Sequence, residues 1–182
     1  KNEKASPEEI TQLLKFMEQG LNEGALGIGL AHAYTPGARR DEIFRIFQFA
    51  ANQKVPVFVH VRSTGEIEPN SSTEAIQEVI ANAAATGASL HIVHISSTGK
   101  RQTAICLEII EGARKRGMNI TTEAYPYTAA STRIESAASC PGGSSEQLPS
   151  HRRILPSNGR STADGSPRRS GPRRAETASG LR

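Results

Sequence analysis

The sequence predicts an α/β fold built on a parallel sheet. Two observations carry this. Apolar, β-branched runs begin near residues 25, 55, 88 and 118. Each is separated from the next by a segment with apolar residues at helical spacing, so a βα unit recurs every 30 to 33 residues. Continuous apolar strands alternating with amphipathic helices define parallel sheets with crossover helices. Two arrangements fit that repeat, a doubly wound sheet or part of an eight-stranded barrel. The first announces itself with a glycine-rich turn after its first strand. Here Gly27-Ile28-Gly29 lies within the strand.

The elements follow in order. Ser6-Pro7-Glu8-Glu9 is a helix start, with Ser6 as cap, Pro7 at the first helical position and Glu9 closing a capping box. Ile10, Leu13, Leu14, Met17 and Leu21 form its apolar stripe, and Gly24 ends it. Residues 25–30 read as a buried strand, followed by a turn at Tyr34-Thr35-Pro36-Gly37. Asp41 is expected to cap a second helix running to Gln53, with Ile43, Ile46, Phe47 and Ala50 on one face. Residues 55–61 (VPVFVHV) form the next strand. After a polar loop, Thr73 is expected to open a third helix, striped by Ile76, Val79, Ile80 and Ala83 and stopped at Gly87. The third strand spans 88–95, with a turn at 97–100. A fourth helix spans about 102–116, and a fourth strand 118–123.

Charge divides the chain. Residues 1–138 carry 14 Lys and Arg against 15 Asp and Glu; residues 139–182 carry 8 Arg against 3 acids. Of those last 44 residues, 28 are Ser, Arg, Gly or Pro, and none is Lys, Val, Phe or Tyr. Such a segment buries too little apolar surface to offset its ordering entropy, so disorder is expected over 139–182 and a partial barrel domain over 1–138. Arg, Ser, Gly and Pro without Lys is what out-of-frame reading of GC-rich DNA tends to produce, and a shifted frame near Ser139 is the expectation, with a genuine Arg/Ser-rich linker as the alternative. The chain opens on Lys1 and reads as an internal piece of a longer protein. The tail lacks the aromatic platforms of single-strand binders, so no nucleic-acid partner is expected. No apolar run approaches a membrane span, and Cys106 and Cys140 are too few for a disulfide framework. A reduced, soluble, cytoplasmic setting with no membrane partner fits this composition.

Chemistry in parallel α/β folds gathers at the carboxyl ends of the strands. His60 lies there on the second strand, followed by Arg62, and His94 lies there on the third. Adjacent strands are about 4.8 Å apart, so the two imidazoles can converge on one ion, and neutral imidazole is a common zinc ligand. His91 is three residues from His94, which by the pleat puts it on the opposite face, toward the helices. His32 follows the first strand as a candidate loop residue. Arg62 is either a surface charge or a clamp for a carboxylate. Tyr127 is either packing or a phenol that polarises a carbonyl, and Glu123 is either a structural ion-pair partner or a functional acid.

The stretches GALGIGLAHAYTPGA, VFVHVRS, LHIVHISSTG and TTEAYPYTAAST, in this order, resemble the N-acyl-D-amino-acid deacylase (D-aminoacylase) branch of the amidohydrolase superfamily. The resemblance covers residues 7–138. It implies an α/β fold that is a partial (β/α)8 barrel of about four βα units, in a family whose members add a small β-sandwich. It implies zinc as cofactor, with His60 and His94 as metal ligands. It implies a small-molecule N-acyl amino acid or related amide as substrate and hydrolysis of a linear amide C–N bond. Tyr127 then supports the developing oxyanion, and Arg62 and Tyr34 contact substrate. The family's HxH pair on the first barrel strand, its bridging Cys and its eighth-strand Asp have no counterpart here, so the isolated chain is expected to be inactive. The position two residues after the second histidine holds Ser96 where D-aminoacylases often carry Lys. The alternatives are a cyclic-amide hydrolase of the dihydroorotase or hydantoinase kind, a non-catalytic piece with a basic nucleic-acid-binding tail, and a nucleotide-binding doubly wound domain.

Overall fold

Four strands form one sheet in the order β1-β2-β3-β4, every neighbouring pair parallel. The computed structural model describes residues 2–127. The strands are β1 (Ile28–Ala31), β2 (Val57–His60), β3 (Leu90–Ile92) and β4 (Ile120–Thr122). The helices are α1 (Pro7–Asn22), α2 (Arg40–Gln53), α3 (Ser72–Thr86), α4 (Ile95–Gly99) and α5 (Thr103–Lys115). Sequential strand order without a switch point is the topology of a barrel wall, not of a doubly wound sheet.

Alternation along the strands decides which face is covered. Val57, Val59 and Val61 are buried, as are Leu90 and Ile92 on the neighbouring strand. These pack with Ile43, Ile46, Phe47, Ala50, Ile76, Val79, Cys106 and Ile110 of α2, α3 and α5 into a single aliphatic core. The intervening residues form rows on the other face. Gly29, Phe58, His91 and Thr121 stand in register across all four strands. Phe58 is 39% exposed there, although its neighbours Val57 and Val59 are fully buried. In a closed barrel this second face is the interior.

The helix starts are set by local chemistry. Ser6 caps α1 and Ser71 caps α3, each with its capping box complete, through Glu9 and Glu74. The third helix therefore starts at Ser72, one residue before the expected Thr73. Asp41 is not the cap of α2. Arg39 holds that position without a side-chain hydrogen bond, and Asp41 lies in the first turn, paired with Arg39 at 2.9 Å. The expected turn at 97–100 is the short helix α4 and a 3-10 turn over Lys100–Gln102. Gly87 ends α3 with φ +76, a left-handed conformation that glycine adopts without strain.

The described residues all lie in one compact unit. The expected boundary at 138, the Arg-rich segment 139–182 and Cys140 lie outside them. Among the described residues no helix is long and apolar enough to cross a membrane.

Candidate metal and substrate site

His60 ends β2, and its side chain projects on the same face as Phe58, away from the helices. β3 ends at Ile92, two residues before His94. Beyond that point the pleat no longer dictates direction. His94 adopts a left-handed backbone (φ 40, ψ 56) that turns the chain out of the strand and into α4. The turn delivers the imidazole to its neighbour, leaving His94 Nε2 2.6 Å from His60 Nδ1, with ring centroids 4.4 Å apart. The structure thus brings together the two histidines that the sequence placed at strand ends.

The surroundings hold His94 firmly. Its Nδ1 lies 3.1 Å from Ser97 Oγ and 3.2 Å from Thr98 Oγ1. Thr98 is itself buried, and its carbonyl accepts a hydrogen bond from Ser72 Oγ at the start of α3. The His94 backbone N–H donates to Glu123 Oε1 at 2.9 Å, and Ile95 N–H donates to the Glu123 carbonyl at 2.8 Å. Burial first, and then the neighbouring His94 charge, pushes the His60 imidazole down to about 4. It is therefore neutral at pH 7, with a nitrogen lone pair available.

Tyr34 sits in the 3-10 turn after β1 and places its ring 5.1 Å from that of His60. Tyr127, the expected oxyanion support, is 73% exposed and stacks on Tyr125 at 6.0 Å. Of the two tyrosines after β4, Tyr125 lies beside the imidazole pair, 6.3 Å from His94. Both belong to the same YPY motif, and only the path of the chain after β4 separates them.

Arg62 does not reach toward the pair. Its guanidinium binds Glu78 on α3 through two hydrogen bonds of 2.9 and 3.2 Å, and donates to the Ala38 carbonyl at 2.8 Å. Burial would raise the Glu78 carboxyl, but the hydrogen bonds and charge of Arg62 overcome it, and the net shift is downward. An open depression of about 380 Å³ beside Arg62 is lined by Ala38, Arg39, Arg40 and Asp41, and by neither imidazole.

Two histidines lie elsewhere than expected. His91 does not face the helices. It stands in the Phe58 row, its ring 5.3 Å from Phe58, its Nδ1 2.7 Å from Thr121 Oγ1 and its Nε2 against Glu123. The expectation failed because it applied the pleat to His94, which the strand no longer contains. His91 hydrogen bonding in turn holds the Glu123 carboxyl below the usual carboxylate range. His32 does follow β1, opening the 3-10 turn, but it is buried there. It is 1% exposed, and neither ring nitrogen has a hydrogen-bond partner among the described residues. Burial first, then the charge of Arg62, lowers its imidazole to about 4.

The donor set suits zinc, since neutral imidazoles are among its ordinary ligands. Two imidazole nitrogens on one tetrahedral zinc stand about 3.3 Å apart. The pair would have to open by about 0.7 Å to admit the ion. Among the described residues no group of three or more His, Cys, Asp or Glu is arranged to hold a metal.

The site and the fold together define a segment of a parallel α/β barrel wall with a histidine pair at its carboxyl end. The chain is similar, over most of its described length, to the N-acyl-D-amino-acid deacylases. It is 26% identical over 132 residues to N-acyl-D-glutamate deacylase of Alcaligenes xylosoxydans xylosoxydans, covering 70% of this chain and 26% of that protein. Its structure superposes on N-acyl-D-glutamate deacylase from Bordetella bronchiseptica, solved with zinc and a phosphonate mimic of the tetrahedral intermediate. The TM-score is 0.58 at 22% identity, covering 69% of this chain and 27% of that one. D-aminoacylase, described as defining a novel subset of amidohydrolases, gives 0.57 at 22% identity with the same coverage. No protein-family profile matches the chain. The chain spans about a quarter of the length of these relatives. Their likeness shows the fold, part of a parallel (β/α) barrel.

Proposed function

We propose that this chain carries part of the active site of a zinc-dependent hydrolase of linear amides, acting on N-acyl-D-amino acids in the cytoplasm. The observation that carries this reading is the convergence of His60 and His94 at the carboxyl ends of adjacent parallel strands. The relatives are named for deacylation of N-acyl-D-glutamate, and one was solved with zinc.

His60 and His94 would hold the metal. Zinc bound there supplies a Lewis acid for an amide carbonyl and activation of water. Ser97 and Thr98 fix the His94 ring: when Nε2 carries the lone pair, Nδ1–H donates to a hydroxyl oxygen. The Tyr34 ring lies beside the pair on the β1 side and the Tyr125 ring on the β4 side, which supports a substrate-contact role for both. Tyr127 remains proposed as oxyanion support, from the YPYTA motif. Arg62 is proposed to act on substrate indirectly, by fixing the Ala38 turn and α3 around the site.

Zinc titration by calorimetry on the 182-residue chain tests the reading. One site is expected, lost in His60→Ala and lost again in His94→Ala. Undiminished binding in either variant would remove the basis for the metal pair.

A further inference from the structure

We propose that Glu123 is a positioning residue for the His94 imidazole, acting through the backbone of residue 94. The inference rests on the reading of His60 and His94 as a metal pair and extends it to a residue on a third strand end. His94 sits in a left-handed conformation that β-carbon sterics disfavour, so something must hold it there. Glu123 grips that turn twice. Its Oε1 accepts from the His94 N–H at 2.9 Å, and its own carbonyl accepts from Ile95 N–H at 2.8 Å. The carboxylate is in turn oriented by His91, whose Nε2 meets Oε2 and whose Nδ1 lies 2.7 Å from Thr121 Oγ1. Thr122 Oγ donates to the Ile92 carbonyl at 2.7 Å, tying β4 to the last residue of β3. The chain Thr121–His91–Glu123–His94 therefore runs across the barrel-interior face from β4 to the metal pair. A hydrogen bond to an ionised carboxylate is about twice as strong as a neutral one. That makes Glu123 a suitable clamp for a strained amide, even though half its side chain is exposed.

Two variants separate positioning from general stability. Glu123→Gln keeps an oxygen for the His94 N–H and offers an amide N–H to His91. Glu123→Ala removes both. In amide NMR spectra of the full chain, the His94 proton is expected downfield in the unsubstituted protein and in Glu123→Gln, and displaced upfield in Glu123→Ala. Cobalt binding, followed by its visible absorption, is expected to weaken about tenfold or more in Glu123→Ala and to stay near the original in Glu123→Gln. Circular dichroism melts should show all three folded. The proposal is overturned if Glu123→Ala leaves the His94 amide and the cobalt affinity unchanged, or if Glu123→Gln falls as far as Glu123→Ala. If His60→Ala and His94→Ala fail to affect cobalt binding, the metal reading falls by itself. The His94 amide position and the nuclear Overhauser contact between the two imidazoles then still decide whether Glu123 positions the ring.

Discussion

Replacing His32 with leucine is expected to flatten the acid sensitivity of the fold. The His32 ring is buried, neither nitrogen is hydrogen-bonded among the described residues, and burial lowers its imidazole from 6.5 to about 4. A group whose folded value lies below its unfolded value takes up protons more readily in the unfolded chain. Its contribution to stability is therefore complete above pH 6.5 and is lost as the pH falls from 6.5 toward 4. With 1.36 kcal/mol per unit, the fold should lose about 2–3 kcal/mol through this one group between pH 7.5 and 4.5. His32→Leu removes that loss. At pH 7.5 it should cost little or even stabilise, because it replaces an unsatisfied buried polar group with an apolar one of similar size. Urea denaturation of both proteins at pH 7.5, 6.5, 5.5 and 4.5 measures the difference, with carboxylate titration common to both. The reasoning is refuted if the two stability curves fall in parallel.

Arg62→Ala should destabilise the chain by about 2–3 kcal/mol in urea melts, since it strips a charged partner from Glu78, which is only 10% exposed. The folded Glu78 carboxyl titrates below its ordinary 4.5, so this pair contributes fully above pH 4.5 and fades as the pH drops through the folded value; the gap between Arg62→Ala and the original should close accordingly. Ser71→Ala removes the buried cap of α3, and a loss of about 1 kcal/mol is expected. The zinc-loaded 182-residue chain should release no glutamate from N-acetyl-D-glutamate, because two imidazoles fall short of the three protein ligands usual for catalytic zinc; turnover that depends on His60 would contradict this.

What the sequence disclosed and what it withheld divide along a physical line. The strands are legible because Val57, Phe58, Val59, Leu90 and Ile92 are β-branched or apolar. The capping box of α1 was legible because its signal is local, a Ser followed three residues later by Glu. For α3 the same signal at Ser71 and Glu74 was present, but the Ser-Ser-Thr run blurred which residue begins the helix. His60 and His94 were readable as strand-end residues. The side chain of Arg62 was not, because its partner Glu78 is sixteen residues on and one helix away. Nor does the pleat reveal where β3 stops, which is why it points His91 to the wrong face. Such errors belong to tertiary contacts, which local periodicity does not encode.

The left-handed backbone at His94 sets stability and chemistry against each other at a single codon. Glycine or asparagine would relax that turn, by about 1–2 kcal/mol on the ordinary cost of the conformation, and either would discard the imidazole. A library of this chain selected only for heat resistance should therefore drift toward those residues at position 94. The hardiest survivors would be the ones that lack the imidazole of the proposed metal pair.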